Sequence, residues 1–124
     1  MNGVELYLKF RRELDEMCVP QIVSELEHIE YIVVDGETVG MVGGDDGYID
    51  VVYVLPEYRR RGLAREAVLS WYERYHTPNT SLDIINNNYT AKQFWNSLFE
   101  LHKIYDNGIS SLYRILSVKP QKGE

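Results

Sequence analysis

The chain has 124 residues, enough for one domain around a single hydrophobic core and too few for two. Hydrophobic content of 44% and charged content of 26% are those of a globular protein rather than a disordered or fibrous one. The formal charge of −6 excludes the broad basic footprint of a general nucleic-acid binder and suits a cationic partner such as an amine.

The first stretch, residues 4–18, carries two patterns. Val4, Leu6, Leu8 and Phe10 alternate with polar residues as in a strand. The opposite-charge pairs Glu5–Lys9, Lys9–Glu13, Arg11–Asp15 and Arg12–Glu16 have helical spacing and favour a helix. Cys18 is the only cysteine, so an intrachain disulfide and a thiolate metal cluster are excluded and a buried spectator thiol is expected. Pro20 suits the first position of a second short helix bearing Ile22, Val23, Leu26 and Ile29. The N-terminus has no basic-then-apolar leader pattern, and no apolar run approaches the roughly 18 residues of a membrane span. A cytoplasmic protein with no membrane partner is expected.

From Glu30 the apolar period changes to two. Residues 31–34 and 38–42 flank Asp35-Gly36, a preferred two-residue hairpin turn. Gly43-Gly44-Asp45-Asp46-Gly47 reads as a loop; it lacks the alternating carboxylates and closing glutamate of a calcium loop, so no metal is expected. A third strand spans 48–55 and ends at Pro56. A helix follows over 62–75, with Ala64, Ala67, Val68, Trp71 and Tyr75 in one stripe. Residues 81–85 form a strand with Asn86-Asn87-Asn88 at its exit. The next helix carries Ala91, Phe94, Trp95, Leu98 and His102 in its stripe. Residues 103–105 and 109–118, joined at Asp106-Asn107-Gly108, read as a closing hairpin, and the last five residues as a frayed end. A strand–helix–strand step across 48–86 implies one parallel pair in an otherwise antiparallel sheet, so the class is α+β (mixed α/β), in a single domain over 1–124.

The segment with most chemical content runs from Val51 to Arg65. Four of the 13 basic residues lie there, at Arg59, Arg60, Arg61 and Arg65, although the chain is acidic. A strand entering a glycine-containing loop and then a helix start is an anion site, because unpaired N–H groups and the helix dipole both favour negative charge. The phosphate loop of nucleotide hydrolases and the three-glycine dinucleotide fingerprint are both absent. What stands here is Arg59-x-x-Gly62-x-Ala64 after Val54-Leu55-Pro56. Gly62 lets backbone approach a diphosphate, small Ala64 leaves the helix start uncrowded, and arginines add charge-assisted bonds.

This pattern resembles the acyl-coenzyme-A loop of the GNAT superfamily of N-acetyltransferases, Arg/Gln-x-x-Gly-x-Gly/Ala. The hairpin before it and the downstream Asn88-x-x-Ala91-x-x-Phe94-Trp95 are similar to the corresponding family segments, so the resemblance covers about 30–118. It implies a GNAT-like, mostly antiparallel central sheet flanked by helices, with the strands at 48–55 and 81–85 splayed as the one parallel pair. It implies acetyl-CoA as cosubstrate, its arm running along Tyr53, Val54 and Leu55. The N–H of Val54 or Leu55 would stabilise the thioester oxyanion. Arg59, Arg60, Arg61, Gly62, Leu63, Ala64 and Arg65 would surround the diphosphate. Asn88 would contact the cosubstrate or serve only as a helix cap.

The implied reaction is acetyl transfer to the primary amine of a small molecule or peptide by direct attack. Asp50 is the nearest base, ahead of Glu30 and Asp83. The chain departs from the family where Trp95 stands in place of a tyrosine that protonates the leaving thiolate, since an indole N–H is a very poor acid. Tyr89 or Tyr105 could substitute, or water could protonate a thiolate that is already a fair leaving group. Phe99-Glu100 replaces the family's Gly-Phe. A non-catalytic acetyl-CoA-binding module, or an anion-binding domain unrelated to coenzyme A, are the competing readings. The ten tyrosines and the closing hairpin are compatible with a homodimer.

Overall fold

A computed structural model describes residues 27–121 together with Leu8 and Arg12. Leu8 and Arg12 are helical; the other expectations for residues 1–26, including Cys18 and the start of the Pro20 helix, lie outside the described residues. Ile29, expected on that helix, instead lies in the first strand and pairs with Gly43. Strands β1 (His28–Val34), β2 (Glu37–Asp45) and β3 (Tyr48–Val54) come first, then helix α1 (Leu63–Tyr75), β4 (Ser81–Ile85), α2 (Tyr89–Leu98), β5 (Phe99–Asp106) and β6 (Ser110–Val118). They build one six-stranded sheet in the order β1-β2-β3-β4-β6-β5. Every neighbouring pair is antiparallel except β3–β4. The mixed α+β class with one parallel pair is therefore what the chain forms. No described helix is long and apolar enough to cross a membrane.

The β1–β2 turn has Asp35 at φ 51° and Gly36 at φ 80°, the two left-handed residues that a tight hairpin matching strand twist requires. Gly43, Gly44 and Asp45 are not a loop but the end of β2, and the turn is confined to Asp46-Gly47. The reason lies across the sheet. A Cβ on Gly44 would stand 2.1 Å from Tyr48 O and 2.9 Å from Trp71 Cζ2, so the strand continues only because no side chain is present. Trp71 fills that space, fully buried, and its indole N–H donates to His28 O at 3.0 Å.

Trp71 belongs to a core with Val42, Ile49, Val68, Leu82, Ile84, Leu98, Phe99 and Ile115, into which α1 packs. Burying side chains such as Phe99 and Val68 contributes roughly 1.5–3 kcal/mol each. Of the expected α1 stripe, Val68 and Trp71 are buried, while Ala64, Ala67 and Tyr75 are partly so. The second helix stops at Leu98, and Phe99 opens β5 without a turn residue between them. His102 therefore lies in an exposed strand rather than on the helix stripe, and β5 starts four residues before the expected Lys103.

Candidate functional site

The site begins where β3 and β4 part. Their parallel pairing consists of Tyr48↔Ser81 and Ile49↔Leu82, and past Leu82 the strands diverge. Just there β3 bulges: Gly44 pairs Ile49 and Gly43 pairs Val51, which leaves Asp50 as the extra residue. A bulge bends a strand, increases its local twist and re-aims the bulged side chain. The resulting opening is a cleft of about 870 Å³ lined by the second half of β3, the loop before α1, the start of α1 and one side of α2.

The backbone of β3 is presented to this cleft in a defined way. Leu55 donates its N–H to Val39 O at 2.8 Å, so its polar groups face β2. Direction alternates along an antiparallel strand, and Tyr53 and Val51 therefore face β2 too. Val52 and Val54 point theirs the other way, toward the gap left by β4. Of the two amides expected at the thioester, Leu55 is engaged within the sheet, and Val54 is the one directed into the opening.

At the end of β3, Pro56–Tyr58 forms a single 3-10 turn. Arg60 at φ 65° and Gly62 at φ 76° then reverse the chain into α1. For a non-glycine residue the left-handed conformation of Arg60 costs about 1–2 kcal/mol, and it re-aims the backbone between strand and helix. Gly62 is the α1 N-cap and brings no side-chain bond to the first helical amides. Those amides are left for an external acceptor. Arg60, Gly62, Leu63, Ala64 and Arg65 line the cleft together with Tyr53, Val54 and Arg59. Arg61 does not; its guanidinium lies 5.0 Å from the centroid of the Tyr58 ring and its Nη2 is 3.4 Å from Glu57 O. Leu55 also lies outside the cleft wall.

From the far side α2 contributes Asn88, Ala91, Phe94 and Trp95. Asn88 Oδ1 accepts the Ala91 N–H at 3.0 Å, so the residue is a helix cap and a cleft residue at once. Trp95 stacks on Phe99 with centroids 6.2 Å apart. Tyr89, at the first turn of α2, is 71% exposed, stands outside the cleft wall and has Lys92 Nζ 5.3 Å from its ring centroid. Tyr105 is 64% exposed on β5, also away from the opening. Neither phenol expected as a proton donor is brought to Trp95.

The carboxylates gather at the opposite end from the arginines. Asp50 and Asp83 both line the cleft, and Tyr48 donates its hydroxyl to Asp83 Oδ2 at 2.5 Å. Burial, the Asp83 bond and the charges of Asp83 and Asp50 hold the Tyr48 phenol well above its usual range. Burial pushes the Asp50 carboxyl up, and the neighbouring charges of Asp45 and Asp83 add to it. Glu30 is on β1, with its Oε1 buried and 3.0 Å from Arg74 Nη1, which ties it to α1. Sequence reasoning missed Tyr48 altogether; its position two residues before Asp50 on the same strand was the available signal.

Fold and cleft define an α+β domain suited to an extended ligand, anionic at the helix-start end, lying between two diverging strands. The sequence agrees at the level of family: the model of the Acetyltransferase (GNAT) family matches residues 5–99, and the chain belongs to that family. No curated protein sequence matches it. Among solved structures, a candidate acyl-CoA N-acyltransferase from Klebsiella pneumoniae superposes with a TM-score of 0.61 at 13% identity, over 92% of this chain and 89% of that one. PH1933 from Pyrococcus horikoshii gives 0.57 at 17% identity, over 68% of this chain and 62% of that one. The PaiA N-acetyltransferase of Thermoplasma acidophilum, solved in complex with coenzyme A, gives 0.55 at 12% identity, over 70% and 59%. At such identities the likeness is one of fold, and the chain spans about six tenths of the length of the last two.

Proposed function

We propose that the protein is an N-acetyltransferase that moves an acetyl group from acetyl-coenzyme A to the primary amine of a small molecule or peptide. The observation that carries this is the open seam between β3 and β4, where Val54 turns its backbone into a cleft that ends at an uncapped helix start beside Arg60 and Arg65. The pantetheine arm runs along β3 as a substitute strand, and the diphosphate lies against the loop amides and these two arginines. The PaiA structure, whose partner is coenzyme A, supports the same choice of cosubstrate.

The amine nitrogen attacks the thioester carbonyl carbon, the carbon–sulfur bond breaks, and the Val54 N–H stabilises the oxygen while it carries negative charge. Asp50, whose proton affinity is raised by burial and by Asp45 and Asp83, takes the proton that the amine must lose. The thiolate leaves as such and is protonated by water, since Trp95 is a poor acid and Tyr89 lies outside the cleft.

Trp95 in the cleft wall favours one second reading, a module that binds acetyl-coenzyme A without turning it over. Calorimetry with acetyl-coenzyme A, followed by thiol release against a panel of amines, separates the two. Turnover with any amine supports the enzyme, and binding without turnover supports the module. Gly62→Glu abolishes binding in either case. A side chain there has room, its nearest neighbour being Arg65 Nη2 at 3.9 Å, so the effect comes from backbone strain and a negative charge beside the anion. Unchanged affinity of that variant would remove the diphosphate site.

A further inference from the structure

The four arginines between positions 59 and 65 do not share one task. Arg60 and Arg65 line the cleft and have no ion-pair partner among the described residues. Arg61 folds back on the 3-10 turn. Arg59 lines the cleft, yet its Nε donates to Val54 O at 2.7 Å and its guanidinium lies 5.7 Å from the centroid of the Tyr53 ring.

The peptide unit joining Val54 and Leu55 is thereby held on both edges. Its N–H, from Leu55, donates to Val39 O at 2.8 Å. Its carbonyl, from Val54, faces the side where β4 has diverged and no strand can supply a donor. The Arg59 side chain supplies it instead, reaching back from the start of the loop across Pro56–Tyr58. A guanidinium bonded through Nε is planar and directional, so this bond restrains the peptide plane and not merely its distance. It is the last peptide unit of β3 before Pro56. The Val54 N–H belongs to the unit before it, held by Tyr53 against β2, so fixing the two units on either side of Val54 restrains the direction of that N–H.

Building on the coenzyme-A reading above, we infer that Arg59 is a positioning residue and not a diphosphate ligand. It clamps the end of β3 so that Val54 N–H is aimed at the acyl oxygen, and it leaves the diphosphate to Arg60, Arg65 and the loop amides. The Val54 carbonyl is correspondingly withdrawn from the acceptors that the cosubstrate arm can use.

The test is calorimetry of coenzyme A binding at about 0.05 M and about 0.3 M salt, conditions that differ strongly in screening. The proteins compared are the unaltered chain, Arg59→Met, Arg59→Gln, Arg60→Met and Arg65→Met. A lost phosphate contact lowers affinity and flattens its salt dependence. A lost clamp lowers affinity and leaves the salt dependence as it was. Arg59→Met is expected to bind about tenfold more weakly, as for one lost hydrogen bond to a charged group, with unaltered salt dependence. Arg59→Gln, which keeps an N–H donor and drops the charge, recovers most of that loss and also guards against a Met variant that folds poorly. Arg60→Met and Arg65→Met flatten the salt dependence. The inference is overturned if Arg59→Met flattens it equally, if Arg59→Gln is as weak as Arg59→Met, or if Arg59→Met binds normally. Absence of binding by the unaltered chain overturns the coenzyme-A reading itself, and is recognised before any variant is measured.

Discussion

Gly44→Ala tests whether a glycine that looks like a loop residue is instead a packing requirement of the sheet. The added Cβ would lie 2.1 Å from Tyr48 O, 2.9 Å from Trp71 Cζ2 and 3.1 Å from Ile49 Cα. A carbon and a carbonyl oxygen settle at about 3.3–3.6 Å, so β2 and β3 must separate by roughly 1 Å at the bulge. One obstacle is a backbone atom and another is a fully buried indole, and neither can rotate away. Overpacking of a core costs about 1–3 kcal/mol, and this geometry belongs at the upper end, near ~3 kcal/mol. For a domain of this size that lowers the melting temperature by roughly 10 °C. The control is Gly36→Ala, at φ +80° with nothing within 4 Å, where only the left-handed conformation is penalised, about 1 kcal/mol. Both variants are followed by thermal unfolding in circular dichroism. If Gly44→Ala melts at or above Gly36→Ala, close approach at Gly44 is not what keeps β2 continuous, and the explanation of the strand fails.

Asp50→Asn has opposite effects on catalysis and stability. A carboxyl whose pKa is raised by folding supports the folded state while protonated; that contribution is complete below the unfolded value of about 3.9 and is lost as pH rises through the folded value. The neutral variant therefore melts higher than the parent at pH 7 and at the same temperature near pH 3, while acetyl transfer falls by about a hundredfold or more. A lower melting temperature at pH 7 would contradict the burial and charge crowding assigned to Asp50. Asn88→Ala removes the acceptor of the Ala91 N–H and costs about 1 kcal/mol. Asn88→Asp keeps that bond and places a negative charge in the cleft wall, so its melting temperature matches the parent while calorimetry shows weakened coenzyme A binding. Equal affinity would make Asn88 a cap and nothing more.

Local chemistry was legible in the sequence, and long-range geometry was not. Asp35-Gly36 announces its turn because few residue pairs tolerate two positive φ angles, and Gly62 announces the loop for the same reason. Asn88 reads as a cap because its side chain needs a partner only three residues away. Gly44 misleads, since what requires a glycine there is Trp71 and the Tyr48 carbonyl, remote in sequence or invisible in it. The bulge at Asp50 leaves no mark on a strand that reads as apolar throughout its second half. The end of α2 is similarly unmarked: Leu98 and Phe99 are both core residues, and the change from helix to strand between them uses no glycine or proline. The arginines show the limit most clearly. Their number points to an anion, but which of them meets the anion depends on carbonyl acceptors that only the folded loop brings within reach.

The two residue pairs that join β3 to β4 have a further consequence. They divide the sheet into two antiparallel triplets, β1-β2-β3 and β4-β6-β5, each laced by ladders of five to seven pairs, bulges included. Among the described residues, the triplets are joined by those rungs, the Tyr48–Asp83 bond, the bonds from Ser81 to the Gly47 carbonyl at the same end and the shared core under α1. Cooperative units of different stability form where such ladders are interrupted, so local opening is expected first along the line between β3 and β4. Whatever fills the gap adds rungs along that line, and occupancy is then felt as slower amide exchange in both triplets at once, including strands that touch no ligand.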